Sequence, residues 1–325
     1  GRVQSFLVSN SRRSANASCT KAQGGVDVNV SQWNLMKESD IVTGLKRYDN
    51  KIYEECSKLT AVKRFFSAGN KLKTFSNYHS GDVTHITTHQ IGFLKVFKNV
   101  PNCVITVHDI TPHHWYSKRR QLREYWILNE FFLKYADHFI TDSDYTKTDL
   151  AECFHVSDDK ITTVYLGVDR NIFHPMDREK CRKMFDMEDG EIYLFSISSG
   201  EPWKNTELLK ELPYNIIDIG YGRGKFGYMT DEQVTALYCA SDAFLCPSKA
   251  EGFGLPVLEA MTCGTPVIAS DVTSLPEVVG DGGVLVNPDD PAEWKDGIEK
   301  VLSNREKWSR KALNQYEKFS WEKCG

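Results

Sequence analysis

The sequence predicts an α/β protein of two Rossmann-like, doubly wound units, and three observations carry that prediction. Short apolar runs alternate with helical patterns along most of the chain, the strand, loop, helix rhythm of parallel sheets. With 325 residues, 41% of them apolar, the chain is long enough for two cores rather than one. One apolar run, Ala243-Phe244-Leu245-Cys246, ends at Pro247, ahead of a glycine-rich turn that opens a helix at Pro256. Such a turn lies at the carboxyl edge of a sheet, where ligands bind in α/β proteins.

Taken in order, residues 1–24 are rich in Ser, Arg, Asn and Gly without periodicity, and read as a leader or loosely attached arm. The fold starts at 25. Residues 26–33 alternate apolar and polar side chains as a strand does, and a helix follows Thr43-Gly44 carrying Leu45, Tyr48, Ile52 and Tyr53. Strands are expected at 104–107, at 138–141 ahead of a helix from Asp144, and at 160–165, which closes the first unit. A charged segment at 177–183 precedes the second. There, strands are expected at 193–197, 215–219, 243–246 and 266–269, with helices from Asp231, Pro256, Pro291 and Arg305.

The net charge of −4 argues against nucleic acid as a partner, because a surface that tracks phosphates needs a basic excess. Nine cysteines, an odd number without a C-x-x-C pair, indicate neither a disulfide framework nor a zinc ribbon and read as buried reduced thiols in a cytoplasmic protein. No stretch approaches the roughly 18 apolar residues of a membrane span, and no signal-peptide pattern is expected.

The segment from Ser248 to Gly264 places Glu251 in the loop and Glu259 eight positions on, in the helix. Gly252 and Gly254 let the backbone approach a ligand, and the amides of Gly254 and Leu255 at the positive end of the helix suit phosphate. Glu259, one turn in, can accept hydrogen bonds from sugar hydroxyls. The plainer reading is a capping carboxylate followed by a solvated one.

That string, with Thr265 to Asp271 and Leu275 to Gly283, resembles the donor site of the retaining glycosyltransferases of family 4, group 1, an E-x7-E motif family. The resemblance covers about Thr43 to Trp321. It implies the GT-B fold, two Rossmann-like domains facing a central cleft, with Gly167 to Pro175 as the linker between them. The acceptor-side domain would then be 25–172 and the nucleotide-sugar domain 173–308, with residues 309–325 a helix crossing back towards the first. It implies that Glu251 contacts the transferred sugar and Glu259 the ribose. Gly252, Phe253, Gly254, Leu255, Tyr228 and Gly44 are counted with donor binding, the 227–229 loop reading the base through its backbone.

Three further motifs bear on chemistry. His108, in Val107-His108-Asp109-Ile110 at a strand end, resembles the family's acceptor-side histidine, which would face the donor sugar; the alternative is a histidine bonded to a backbone carbonyl. His113 and His114 follow closely, and with Asp109 they raise a metal reading that is not adopted for want of a remote ligand. Lys204, in Glu201-Pro202-Trp203-Lys204-Asn205, resembles the family's phosphate-binding lysine, whose charge would stand in for magnesium on the leaving diphosphate. Its usual partner arginine is absent, with Trp203 or Ser199 in its place, depending on how the loop is aligned, so either Arg223 or Lys225 compensates or the donor binds more weakly. Asp142-Ser143-Asp144 is read as a helix cap rather than a D-x-D metal motif.

The stretches 61–73 and 118–126 mix Lys and Arg with large aromatics, either as helices lying on anionic lipid or as ordinary amphipathic helices. The expected activity is transfer of a hexose from a UDP- or GDP-sugar, without cofactor or metal, to a glycan or lipid-linked acceptor. The setting would be cytoplasmic, with possible peripheral contact on the membrane face, and GDP-mannose is favoured by the 201–205 region. A silent nucleotide-sugar-binding subunit, or an epimerase or hydrolase on the same plan, is the alternative.

Overall fold

The computed structural model describes residues 28–34, 44–66, 81–92, 94–95, 100–116, 133–198, 200–220 and 229–324. They form two compact units, residues 1–165 with 321–325, and residues 166–320. The division falls at Leu166, ahead of the position near 172 read from the sequence.

The first unit runs β1 (Asn29–Asn34), α1 (Gly44–Ser57), β2 (Ala61–Phe66), β3 (Val83–Ile86), β4 (Cys103–Val107), α2 (Thr111–Tyr116), β5 (His138–Thr141), α3 (Asp144–Phe154) and β6 (Ile161–Thr163). The strands make one sheet in the order β2-β1-β3-β4-β5-β6, and each neighbouring pair is parallel. Trp33, Ile86, Ile105, Val107, Phe139 and Leu150 belong to its buried core. Chain order reverses between β1 and β3, so the carboxyl ends of β1, β3 and β4 border the crevice where a doubly wound sheet binds ligands. Thr87, His89 and His108 follow those strand ends.

One expectation is corrected here. Residues 61–66 are not part of an amphipathic helix but the edge strand β2, in parallel register with β1. Phe65 stacks on Trp33 with ring centroids 4.9 Å apart, so an aromatic of that stretch packs on the sheet. Residues 67–73 and 118–126 lie outside the described residues. Burial in α1 also differs from the simple apolar stripe: Lys46 and Asp49 are buried alongside Tyr48 and Ile52.

The second unit contains α4 (Arg178–Met184), β7 (Tyr193–Ser198), β8 (Asn215–Gly220), α5 (Asp231–Ala240), β9 (Ala243–Cys246), α6 (Leu255–Thr262), β10 (Val267–Ser270), α7 (Leu275–Val279), β11 (Val284–Val286), α8 (Pro291–Leu302) and α9 (Arg305–Tyr316). The charged segment after the division is the helix α4, capped by the Asp177 side chain on the Lys180 N–H. The sheet order is β11-β10-β9-β7-β8, again parallel throughout, with the switch point between β7 and β9. Leu194, Leu245, Ile268, Trp294 and Ile298 lie in its core.

The helix α10 (Trp321–Cys324) belongs to the first unit, where Trp321 lies 6.3 Å from Tyr48 between ring centroids. All eight described cysteines are free and five are buried, which fits the thiol reading, while Cys19 lies outside the described residues. Among the described residues no helix is long and apolar enough to cross a membrane.

Candidate active site

The loops after β7 and β9 meet at the switch point of the second sheet. Two 3-10 turns, Pro202–Lys204 and Thr206–Glu211, follow β7, and the Lys249 N–H donates to the Trp203 carbonyl at 2.7 Å, tying one loop to the other. That tie brings together two residues 47 positions apart: Lys204 Nζ donates to Glu251 Oε1 at 2.7 Å. Their side chains are 19% and 14% exposed, so the pair is shielded yet reachable. Burial works against the lysine charge, but the Glu251 carboxylate and its hydrogen bond outweigh it and hold the ammonium pKa above its ordinary value.

Glu251 is fixed on every side. Ser248 Oγ donates to Oε1 at 2.7 Å, the Glu251 N–H donates to Thr273 Oγ1 at 3.1 Å, and Ser274 Oγ donates to the Glu251 carbonyl at 2.9 Å. Thr273 sits at φ +54, a left-handed conformation uncommon for a β-branched residue. Sequence reasoning missed these three positioning side chains; Ser248 alone carried a signal, three residues before the glutamate.

Gly254 stands at φ +99 before α6, with no side-chain cap and with Pro256 in the first turn. A Cβ at Gly254 would lie 2.9 Å from Leu275 Cδ2. Gly254→Ala is therefore expected to cost about 1–3 kcal/mol of stability through strain and contact, measured by denaturant unfolding. An unchanged midpoint would show that the turn has room. Glu259 is buried in α6, and its Oε2 accepts from the Tyr238 hydroxyl at 3.2 Å, so the capping-and-solvated alternative does not describe it.

In the first unit His108 lies just beyond β4. Its Nδ1 is 2.6 Å from Asp142 Oδ2 and its Nε2 is 2.9 Å from the Thr87 carbonyl oxygen. The Tyr48 ring meets it edge-on at 4.7 Å. Burial opposes charging the ring, but Asp142, the Thr87 carbonyl and Asp49 outweigh it and raise the pKa to about 9. Both nitrogens face acceptors, so the ring sits as an imidazolium donating to each. A hydroxyl approaching Nε2 would compete with the Thr87 carbonyl. Asp142 is itself pushed up by burial, with His108 pulling the other way. Nearby, burial and the His108 charge lower His85 and His89 to about 4, and burial raises Asp49 to about 6.

The remaining candidates separate. Ser143 caps α3 by accepting from the Thr146 N–H at 3.0 Å, as expected, which leaves Asp142 to the histidine. Asp109 accepts from the Thr111 N–H at 3.0 Å, and His114 pairs with Asp149, so the histidines and Asp109 form no common metal cluster among the described residues. Gly44 opens α1. Tyr228, Arg223, Lys225 and Ser199 lie outside the described residues.

Comparison with known proteins adds lineage to this geometry. A family model described as "Glycosyl transferases group 1" matches residues 225–318, and one described as "Glycosyltransferase Family 4" matches residues 45–171. The chain is 33% identical to O-antigen chain mannosyltransferase B of Escherichia coli, over 68% of this chain and 67% of that protein. It is 27% identical to O-antigen chain mannosyltransferase RfbU of Salmonella typhimurium, over 66% of this chain and 63% of that protein. The match thus spans about two thirds of the length of these relatives. Among solved structures, sucrose-phosphate synthase of Thermosynechococcus elongatus superposes with a TM-score of 0.75 at 18% identity, covering 90% of this chain and 95% of that one. Anabaena HepE in complex with UDP-glucose gives 0.69 at 19% identity, over 89% and 94%. At such identities the likeness speaks for the fold alone, two parallel-sheet Rossmann-like domains of the GT-B kind.

Proposed function

This chain belongs to the group 1, family 4 glycosyltransferases, and from that premise we propose that it transfers a hexose from a nucleotide diphosphate sugar to a hydroxyl of a glycan or lipid-linked glycan, with retention of anomeric configuration. The observation that carries the reading is the Lys204–Glu251 pair at the switch point of the second sheet. It lies in the same pair of loops as the glycine turn that opens α6.

In this reading Lys204 exchanges its carboxylate partner for the diphosphate of the donor and neutralises the charge that develops as the phosphate leaves. No metal is then required there, since fixed positive charge meets the main demand of the step. The amides of Gly254 and Leu255 at the α6 terminus share that load. Glu259, anchored by Tyr238, accepts from the ribose hydroxyls. Glu251, held by Ser248, Thr273 and Ser274, orients the sugar rather than attacking it, and the leaving phosphate takes the acceptor proton on the same face. Mannose, carried by GDP, is the favoured sugar, on the 201–205 segment and on the two mannosyltransferase relatives.

The test is a thermal-shift panel of UDP, GDP, ADP and their sugars with a chelator present, because a ligand that binds only the native state raises the melting temperature. The expected result is a shift with GDP and GDP-mannose that chelation does not reduce. Glu259→Ala should weaken that binding by roughly thirtyfold, about 2 kcal/mol for hydrogen bonds to a carboxylate. A panel without any shift, or a variant that binds as tightly as the parent, would sink the assignment.

A further inference from the structure

We propose that His114, Asp149 and Cys153 form a binding site for one zinc-like divalent ion that staples α2 to α3 in the first unit. Asp149 and Cys153 lie four positions apart on α3, so they share a helix face, and His114 comes from α2. His114 Nε2 stands 2.9 Å from both carboxylate oxygens of Asp149, and Cys153 Sγ donates to Asp149 Oδ1 at 3.4 Å. The three ligand atoms all lie within 4.8 Å of one another.

The donor set selects the metal. One imidazole nitrogen, one carboxylate oxygen and one sulfur match zinc or cobalt(II); magnesium and calcium require a shell of oxygens. Around tetrahedral zinc, bonds of about 2.0–2.3 Å place ligand atoms roughly 3.3–3.7 Å apart, close to the 2.9 and 3.4 Å of the two pairs that share Asp149, with the third pair within 4.8 Å. The trio is thus assembled as hydrogen bonds where the ion would assemble it as coordinate bonds. Loading releases the Cys153 thiol proton and any proton on His114 Nε2 to solvent, and the His114 lone pair, the Asp149 oxygen and the thiolate fill three positions. The fourth is open to water, because the His114 side chain is 43% exposed. Without metal, a half-exposed histidine–aspartate pair holds α2 weakly, since such pairs contribute little. With it, the segment that follows His108 is tied to α3. Proton competition makes the affinity fall as pH falls.

The experiment uses the full chain, stripped with chelator and titrated with cobalt(II) and then zinc(II). The expected result is a single cobalt equivalent with a thiolate-to-cobalt charge-transfer band, displaced by zinc, and a higher melting temperature with zinc than without. Cys153→Ser should abolish the charge-transfer band, and His114→Gln and Asp149→Asn should each weaken binding by more than about tenfold. Because the His114 side chain is 43% exposed, His114→Gln carries the test should the cysteine or aspartate variant fold poorly. Absence of the band in the parent overturns the proposal. So does a band that survives in Cys153→Ser, which would place the ion on another thiol, or affinity unchanged in the His114 and Asp149 variants.

Discussion

Lys204→Ala should lower the turnover number for sugar transfer by about two to three orders of magnitude while weakening donor binding by less than about tenfold. The asymmetry follows from where charge develops. In the proposed donor complex the α6 amides already meet part of the diphosphate charge, whereas the bond-breaking step adds charge to the phosphate, and a fixed cation is worth most there. Lys204→Arg keeps the charge but brings a planar group with a different reach, so it should recover only part of the rate. The substitution to alanine leaves the Glu251 carboxylate with Ser248 as its remaining side-chain donor among the described residues, in a site only 14% exposed, which should cost about 1–3 kcal/mol of stability. Steady-state kinetics alongside denaturant unfolding separate the two effects. A variant that binds less donor but turns over normally would make Lys204 a ground-state ligand only, and normal values of both would remove it from the site.

That pairing shows how far the sequence could be read. The doubly wound plan was legible because buried parallel strands are short apolar runs with Pro or Gly after them, as at Ala243–Cys246 and Pro247. Lys204 and Glu251 were each legible as polar residues after such runs. Their contact was not, because it depends on strand order: β7 and β9 are neighbours only because the chain reverses there. Strands β2 and β3 escaped for different reasons. Ala61–Phe66 carries Lys63 and Arg64 beside two phenylalanines, which mimics an amphipathic helix, and the edge position tolerates those charges. Val83–Ile86 is buried throughout, yet half of it is polar, Thr84 and His85, so it offers no apolar run. What makes those polar residues acceptable is tertiary: His85 Nε2 and the Tyr48 hydroxyl both reach Thr106 Oγ1, at 2.8 and 2.9 Å. Periodicity has no access to a network drawn from three separate elements.

The same network frames the behaviour expected of Asp142→Asn. His108 titrates at about 9 in the folded chain, against 6.5 for an ordinary histidine. A raised pKa contributes stability that is fully present below about 6.5 and is lost as pH rises through about 9, and the shift corresponds to roughly 3 kcal/mol. Asp142 supplies most of what opposes burial. With asparagine in its place burial wins, as it does at His85 and His89, both held near 4. The ring then stays neutral at pH 7, its Nε2–H still donating to the Thr87 carbonyl and its Nδ1 accepting from the new amide, so the fold survives. Unfolding by urea should find the variant about 2–3 kcal/mol less stable than the parent near pH 6, with the gap closing near pH 9.5 as the parent loses its own charge. A parent that showed no loss of stability across that window would mean that His108 is neutral in the native state. One nitrogen would then hold no proton, and the Thr87 and Asp142 contacts could not both be hydrogen bonds donated by the ring.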